Sequence, residues 1–152
     1  MADEQKPAEA QPSFAIKGQY IKDLSFENPR APESLVVTPD QPPRIDLNVN
    51  IKVDKIQENV YETMLHVDAS AKGANGTMFL VDLKYAGLFE LIGIPEDRLQ
   101  PILFVDCPFV LYPFARRVVA DVTRDGGFPP LMLEPIDFQA LYAQNAQKTE
   151  AV

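Results

Sequence analysis

Residues 45–91, IDLNVNIKVDKIQENVYETMLHVDASAKGANGTMFLVDLKYAGLFEL, decide the fold of this 152-residue chain. Ile45, Leu47, Val49, Ile51 and Val53 alternate with Asp46, Asn48, Asn50, Lys52 and Asp54, the period of a strand with one buried face. Gln57-Glu58-Asn59 reads as a turn. Val60 to Ala71 alternates again, with Tyr61, Thr63, Leu65 and Val67 inward. Residues 72–76, KGANG, carry the glycines that hairpin turns favour. Thr77 to Leu91 then sets Phe79, Val81, Leu83, Tyr85 and Phe89 on one face. Three close-spaced strands joined by short turns predict an antiparallel meander.

Upstream, Phe14 to Glu27 also alternates. Phe14, Ile16, Tyr20, Leu24 and Phe26 share one face, and Lys17, Gln19, Asp23 and Glu27 the other. Ile21 and Lys22 break the pattern and predict a bulge. Residues 28–44 hold five of the 14 prolines and predict a long connection, because proline donates nothing to a sheet ladder. Leu35, Val36 and Val37 make an apolar patch in its middle with no local partner. Residues 1–13 are polar and predict a tail.

Downstream, Pro95 opens a short helix that ends near Val105. Pro108 starts a second helix, Pro113 is expected to bend it, and Asp125-Gly126-Gly127 stops it. On a helical wheel Phe114, Val118, Leu111, Val122, Ala115, Val119 and Tyr112 span roughly 160°, wider than the usual stripe of about 100°. Phe109 and Val110 lie outside that arc. Such a helix needs a second surface, either another copy of the chain or an apolar client. Asp137 is a plausible N-cap for a last short helix, with Phe138, Leu141 and Tyr142 on one side. Strands followed by helices predict an α+β fold: a four-stranded antiparallel sheet with a long bent helix and a short C-terminal helix packed on one face. The domain is expected over residues 14–143, with a second tail over 144–152.

The polar positions of the strands define an outer sheet face. It carries Asp23, Glu27, Asp46, Asp54, Glu62, Asp68, Asp82 and Glu90 against Lys17, Lys52 and Lys84, a balance of −5 out of the chain's −8. Leu80 sits among these acids. The combination suits a basic, partly apolar partner segment. Nucleic acid is not expected, because Arg116-Arg117 is the only basic cluster. No apolar run approaches the roughly 20 residues of a membrane span, and the N-terminus lacks a signal pattern. A cytoplasmic protein without membrane insertion is therefore expected.

Enzyme chemistry has little support. His66 shares a strand face with Asp68, but a solvent-facing histidine beside an acid is the simpler reading. Cys107 lies in an apolar segment beside Asp106, where a thiolate is disfavoured. There is no phosphate-binding glycine loop. No catalysis and no cofactor are expected.

Several segments together resemble the SecB family of bacterial export chaperones. They are residues 19–29 (QYIKDLSFENP), 60–62 (VYE), 87–89 (GLF), 107–108 (CP), 111–116 (LYPFAR), 127–131 (GFPPL) and 135–138 (PIDF). The resemblance runs from about Phe14 to about Tyr142. It implies a homotetramer, a dimer of dimers, with Phe109, Val110, Tyr112, Arg116 and Arg117 at the interface. It implies ATP-independent binding of unfolded secretory preproteins in apolar grooves lined by Leu35, Val36, Val37, Leu131, Leu133, Phe138, Leu141 and Tyr142. It also implies delivery to the ATPase SecA, whose basic tail would dock at Asp23, Glu27, Leu80 and Asp82. Asp82 replaces a glutamate of well-known members. A SecB-like chaperone dedicated to a toxin–antitoxin pair is the alternative.

Overall fold

The computed structural model describes residues 11–36, 38 and 40–150. Strand β1 (Ser13–Glu27) leads through a one-turn helix α1 (Glu33–Val36) to β2 (Arg44–Gln57), β3 (Val60–Gly73) and β4 (Gly76–Ile92). Then come α2 (Glu96–Pro101), a π-helical turn (Ile102–Asp106), α3 (Cys107–Asp125) and α4 (Phe138–Glu150). The strands form one antiparallel sheet in the order β1-β4-β3-β2. The proline-rich connection thus carries the chain from one sheet edge to the other. The α+β architecture is the one expected, and α4 continues to Glu150, past the short helix read from sequence.

The core lies where α3 crosses the two central strands. Leu65, Val67, Val81, Leu83 and Phe89 from the sheet meet Leu103, Leu111, Ala115 and Val119, all fully buried. Gly87 lets the helix approach: a Cβ there would lie 2.7 Å from the Leu111 side chain and 2.7 Å from the Phe89 ring.

The two helices expected on either side of Pro108 are joined into one rod. Pro108 has no N–H, and its ring crowds the carbonyl four residues back, at Phe104. The rod accommodates this with the π turn over Ile102–Asp106, a device found at such irregularities. The buried Thr63 hydroxyl donates to the Leu103 carbonyl at 3.2 Å, so a carbonyl in the irregular turn is partnered.

Strand β1 departs from the sequence reading in one respect. Ser13–Glu27 pairs with Leu80–Ile92, which is two residues shorter, so the register slips twice, between Ile16 and Gly18 and between Ile21 and Asp23. Each extra residue reverses the facing of those that follow. The second slip is the bulge expected near Lys22; the first, at Lys17, was not expected. Tyr20 therefore faces outward with Glu62, while Gln19 faces the helices and receives a hydrogen bond from Tyr85 at 3.2 Å.

Candidate functional site

Two surfaces on opposite faces of the sheet could carry function. The first is an open cavity of about 580 Å³ on the helix-covered face. It forms because α1 and the 127–131 link both lie over the end of the sheet. Gly127 makes the turn out of α3 with φ +92°, a conformation glycine adopts without strain. Leu35 lies 3.3 Å from where a Gly127 Cβ would sit. Leu35 and Leu131, two of the residues read from the sequence as groove residues, line this cavity together with Ile45, Met78, Phe79 and Phe128. The Phe79 and Phe128 rings are 5.0 Å apart at its base.

The other residues expected in the groove are distributed differently. Val36 is 81% exposed beside the cavity, and Val37 lies outside the described residues. Leu133 and Phe138 are core residues at 3% exposure; Phe138 stands edge-on to the Tyr112 ring at 5.6 Å. They are not available to a ligand in this arrangement, because the link and α4 fold back onto α3. Leu141 is half-buried against the core, and Tyr142 stacks on Phe104 at 5.9 Å. Ile45, Met78, Phe79 and Phe128 escaped the sequence reading, which had no signal for where the link would lie.

The second surface is the outer face. The register places all eight acids there, as expected. It also brings Lys22, Arg44 and Lys72 to them, so six cations stand against the eight acids. The balance is −2 rather than −5. Lys17 pairs with Glu90 at 3.4 Å, Lys22 with Glu62 at 2.7 Å, Lys52 with Asp54 at 3.7 Å, and Arg44 with Asp46 at 3.1 Å. Lys72 also reaches Asp46 at 3.7 Å. Among the described residues Asp23, Glu27 and Asp68 have no ion pair. Negative charge thus concentrates at one end, around the exposed Leu80. Glu27 is directly opposite Leu80 on the neighbouring strand, and Asp82 follows two residues along. Asp23 stands opposite Lys84, one outward position beyond Asp82, so the four residues expected to dock a partner are spread along β1 and β4 between these pairs. His66 contacts Asp82 across the strands at 3.0 Å, not Asp68 on its own strand.

Glu62 is almost fully buried. Burial alone would raise its carboxyl, but hydrogen bonds from Lys22 and Tyr20 outweigh that and hold it below its ordinary range. A carboxyl lowered in the folded state adds stability above its unfolded value and loses it as pH falls toward the folded one. Glu62→Gln is therefore expected to flatten the acid limb of a stability-against-pH curve. Coincident acid limbs for the two proteins would refute this.

Two further groups bear on chemistry and assembly. Burial pushes the Cys107 thiol up to about 12, so it is a packing residue and a poor nucleophile. Of the expected interface residues, Phe109 is 69% exposed, Arg117 is exposed, and Val110 and Arg116 are half-buried. Tyr112 is buried within its own chain, where its hydroxyl donates to the Glu134 carbonyl. Arg116 lies over the Tyr112 ring, 5.9 Å from its centroid, with its Nε buried and unpartnered. No helix among the described residues is long and apolar enough to cross a membrane.

Comparison with known proteins matches this architecture. A solved SecB-like chaperone of Mycobacterium tuberculosis, in complex with a ChAD peptide from the HigA1 antitoxin, superposes with a TM-score of 0.67. It is 23% identical, over 81% of this chain and 90% of that one, a likeness of fold. The protein-export protein SecB of Rhodopseudomonas palustris is 45% identical over 140 residues, covering 92% of this chain and 86% of the relative. That of Sphingopyxis alaskensis is 48% identical over 139 residues, covering 91% and 80%. The family model described as preprotein translocase subunit SecB matches residues 7–149, so this chain belongs to the SecB family, the chaperones of protein export.

Proposed function

We propose that this chain is a holdase without catalytic activity or cofactor, which binds unfolded secretory preproteins in the apolar cavity and hands them to SecA. The observation that carries the reading is the open cavity itself. Among the described residues its lining is mainly apolar, with Leu35, Leu131 and the Phe79 and Phe128 rings, and Ser34 and Thr38 are its polar side chains. Apolar contacts of that kind accept many sequences. Occupancy of several such cavities by one long client multiplies weak affinities. The acidic end around Leu80 is the docking surface for SecA's basic tail. The M. tuberculosis neighbour holds an antitoxin peptide. The curated relatives at 45 and 48% identity carry the export name, so export is the preferred reading. A refolding assay tests it: the protein should slow the folding of a secretory precursor without added nucleotide. Unchanged folding kinetics at excess chaperone would sink the proposal.

Assembly as a dimer of dimers is part of the same reading, and uncovered apolar surface supports it. On the helix-facing side of β1, Phe14, Ile16, Ile21 and Leu24 are 38–48% exposed, and α3 adds Phe109 and Phe114. Exposed apolar side chains of that kind support an interface. Light scattering should give about 68 kDa, four chains of 17.0 kDa, and Ile21→Asp should lower that mass. A 17.0 kDa species at micromolar concentration would refute assembly.

A further inference from the structure

We propose that His66 is a pH-operated latch on Asp82 that tunes docking of a basic partner segment on the outer face; this rests on the docking reading above. The Nε2 of His66 lies 3.0 and 3.1 Å from the two carboxylate oxygens of Asp82, so one ring nitrogen faces both. In the register His66 stands opposite Lys84, and Asp82 lies two pairs further on, at the next position on the same face, opposite Asp68. The two side chains are 31% and 42% exposed, so a partner's cation reaches Asp82 from solvent.

The consequence follows from the two forms of imidazole. A neutral ring donates one N–H, orients the carboxylate and leaves its negative charge in place for a lysine or arginine. A protonated ring makes the same contact but cancels that charge. Asp82 then stops attracting cations, and only Asp23, Glu27 and Asp68 remain unpaired at this end of the face. The charged groups around the ring are Asp82 and Lys84 on β4, Asp68 on β3 itself and Lys52 on β2, which is engaged with Asp54; Asn50, directly opposite on β2, is neutral. Asp23 lies beyond Lys84 on β1. Carboxylates and lysines ordinarily titrate outside the span from pH 5.5 to 8.0, whereas imidazoles titrate within it. His66 is the only histidine of the chain.

The test is calorimetric titration of the full-length protein with an end-blocked peptide of lysine, arginine and leucine at constant ionic strength. A permanently unfolded, carboxymethylated protein is added first to saturate the apolar cavities. Affinity should fall about fivefold from pH 8.0 to pH 5.5. His66→Gln, which keeps an N–H donor but does not titrate, should bind at pH 5.5 as tightly as the parent at pH 8.0. His66→Arg, permanently charged, should bind at pH 8.0 as weakly as the parent at pH 5.5. A fivefold fall that persists in His66→Gln overturns the latch alone. Peptide binding that ignores Asp23→Lys at both pH values overturns the docking surface, and the latch with it.

Discussion

Replacing Leu111 with alanine is expected to remove about 3–4 kcal/mol of folding stability. Leu111 is fully buried where α3 crosses the centre of the sheet. Two terms add there: the lost transfer free energy of the side chain, and the cavity it leaves. The cavity term should be large because the site cannot collapse. The facing residue is Gly87, which has no side chain to swing in, and the adjacent Phe89 is fully buried and held against the Phe14 ring at 5.4 Å. Gly87→Ala alone should also destabilise, by about 1–3 kcal/mol, because its methyl meets Leu111 and Phe89 at 2.7 Å. The pair should not be additive. With Leu111 shortened, the methyl at 87 enters the vacated space, so the double variant should be more stable than the sum of the single losses by more than about 1 kcal/mol. Urea unfolding at several protein concentrations measures this, since assembly contributes to apparent stability. Additive losses, or a Leu111→Ala cost below about 1 kcal/mol, would show that this contact does not organise the core.

The parts of the fold that were legible in the sequence are those where one pattern had one solution. β2 to β4 alternate over most of their length, their pairing slipping only near strand ends, between Lys55 and Gln57 and between Ala71 and Lys72, and elsewhere a one-residue slip would expose every buried side chain. The bulge at Lys17 lacked that constraint. Tyr20 and Ile21 are adjacent and both apolar, so either can face the core, and the strand reads acceptably in both parities. Only the pairing with β4 decides, and pairing is tertiary. The acid balance of the outer face failed for a related reason. Arg44 and Lys72 share the parity of the outer acids and could have been counted, whereas Lys22 reaches Glu62 from a bulge that shifts its facing. In the cavity, Leu35 stood out because it was apolar in a connection. Phe79 and Ile45 did not, because an inward strand residue under a helix and one under an open cavity have the same local pattern. Leu133 and Phe138 illustrate the converse. Their spacing suits a groove wall as well as a core, and the return of the link onto α3 buries them.

Leu35→Asp and Asp23→Lys are expected to separate the two activities, each strongly weakening one and sparing the other. Leu35 is 53% exposed at the rim of the cavity, so a charge there costs the fold little, unlike one at the buried Leu133 or Phe138. What the substitution removes is an apolar wall for the client, about 1.5–3 kcal/mol per fully buried leucine-sized contact. That corresponds to a roughly ten- to hundredfold weaker hold at each site, and a client spanning several sites feels the loss at each of them. Asp23→Lys replaces an acid free of ion pairs with a cation at the end of the outer face where negative charge concentrates. Docking of a basic segment should weaken by about tenfold or more at low salt and less at high salt, because these exposed charges are screened. The two surfaces lie on opposite faces of a sheet whose core strands are rigidly packed, so neither substitution has a route to the other. The measurements are suppression of a precursor's refolding for the first activity and SecA binding at two ionic strengths for the second. If either variant loses both activities while keeping its assembled mass and unfolding midpoint, clients and SecA share a surface, and the division between cavity and outer face is wrong.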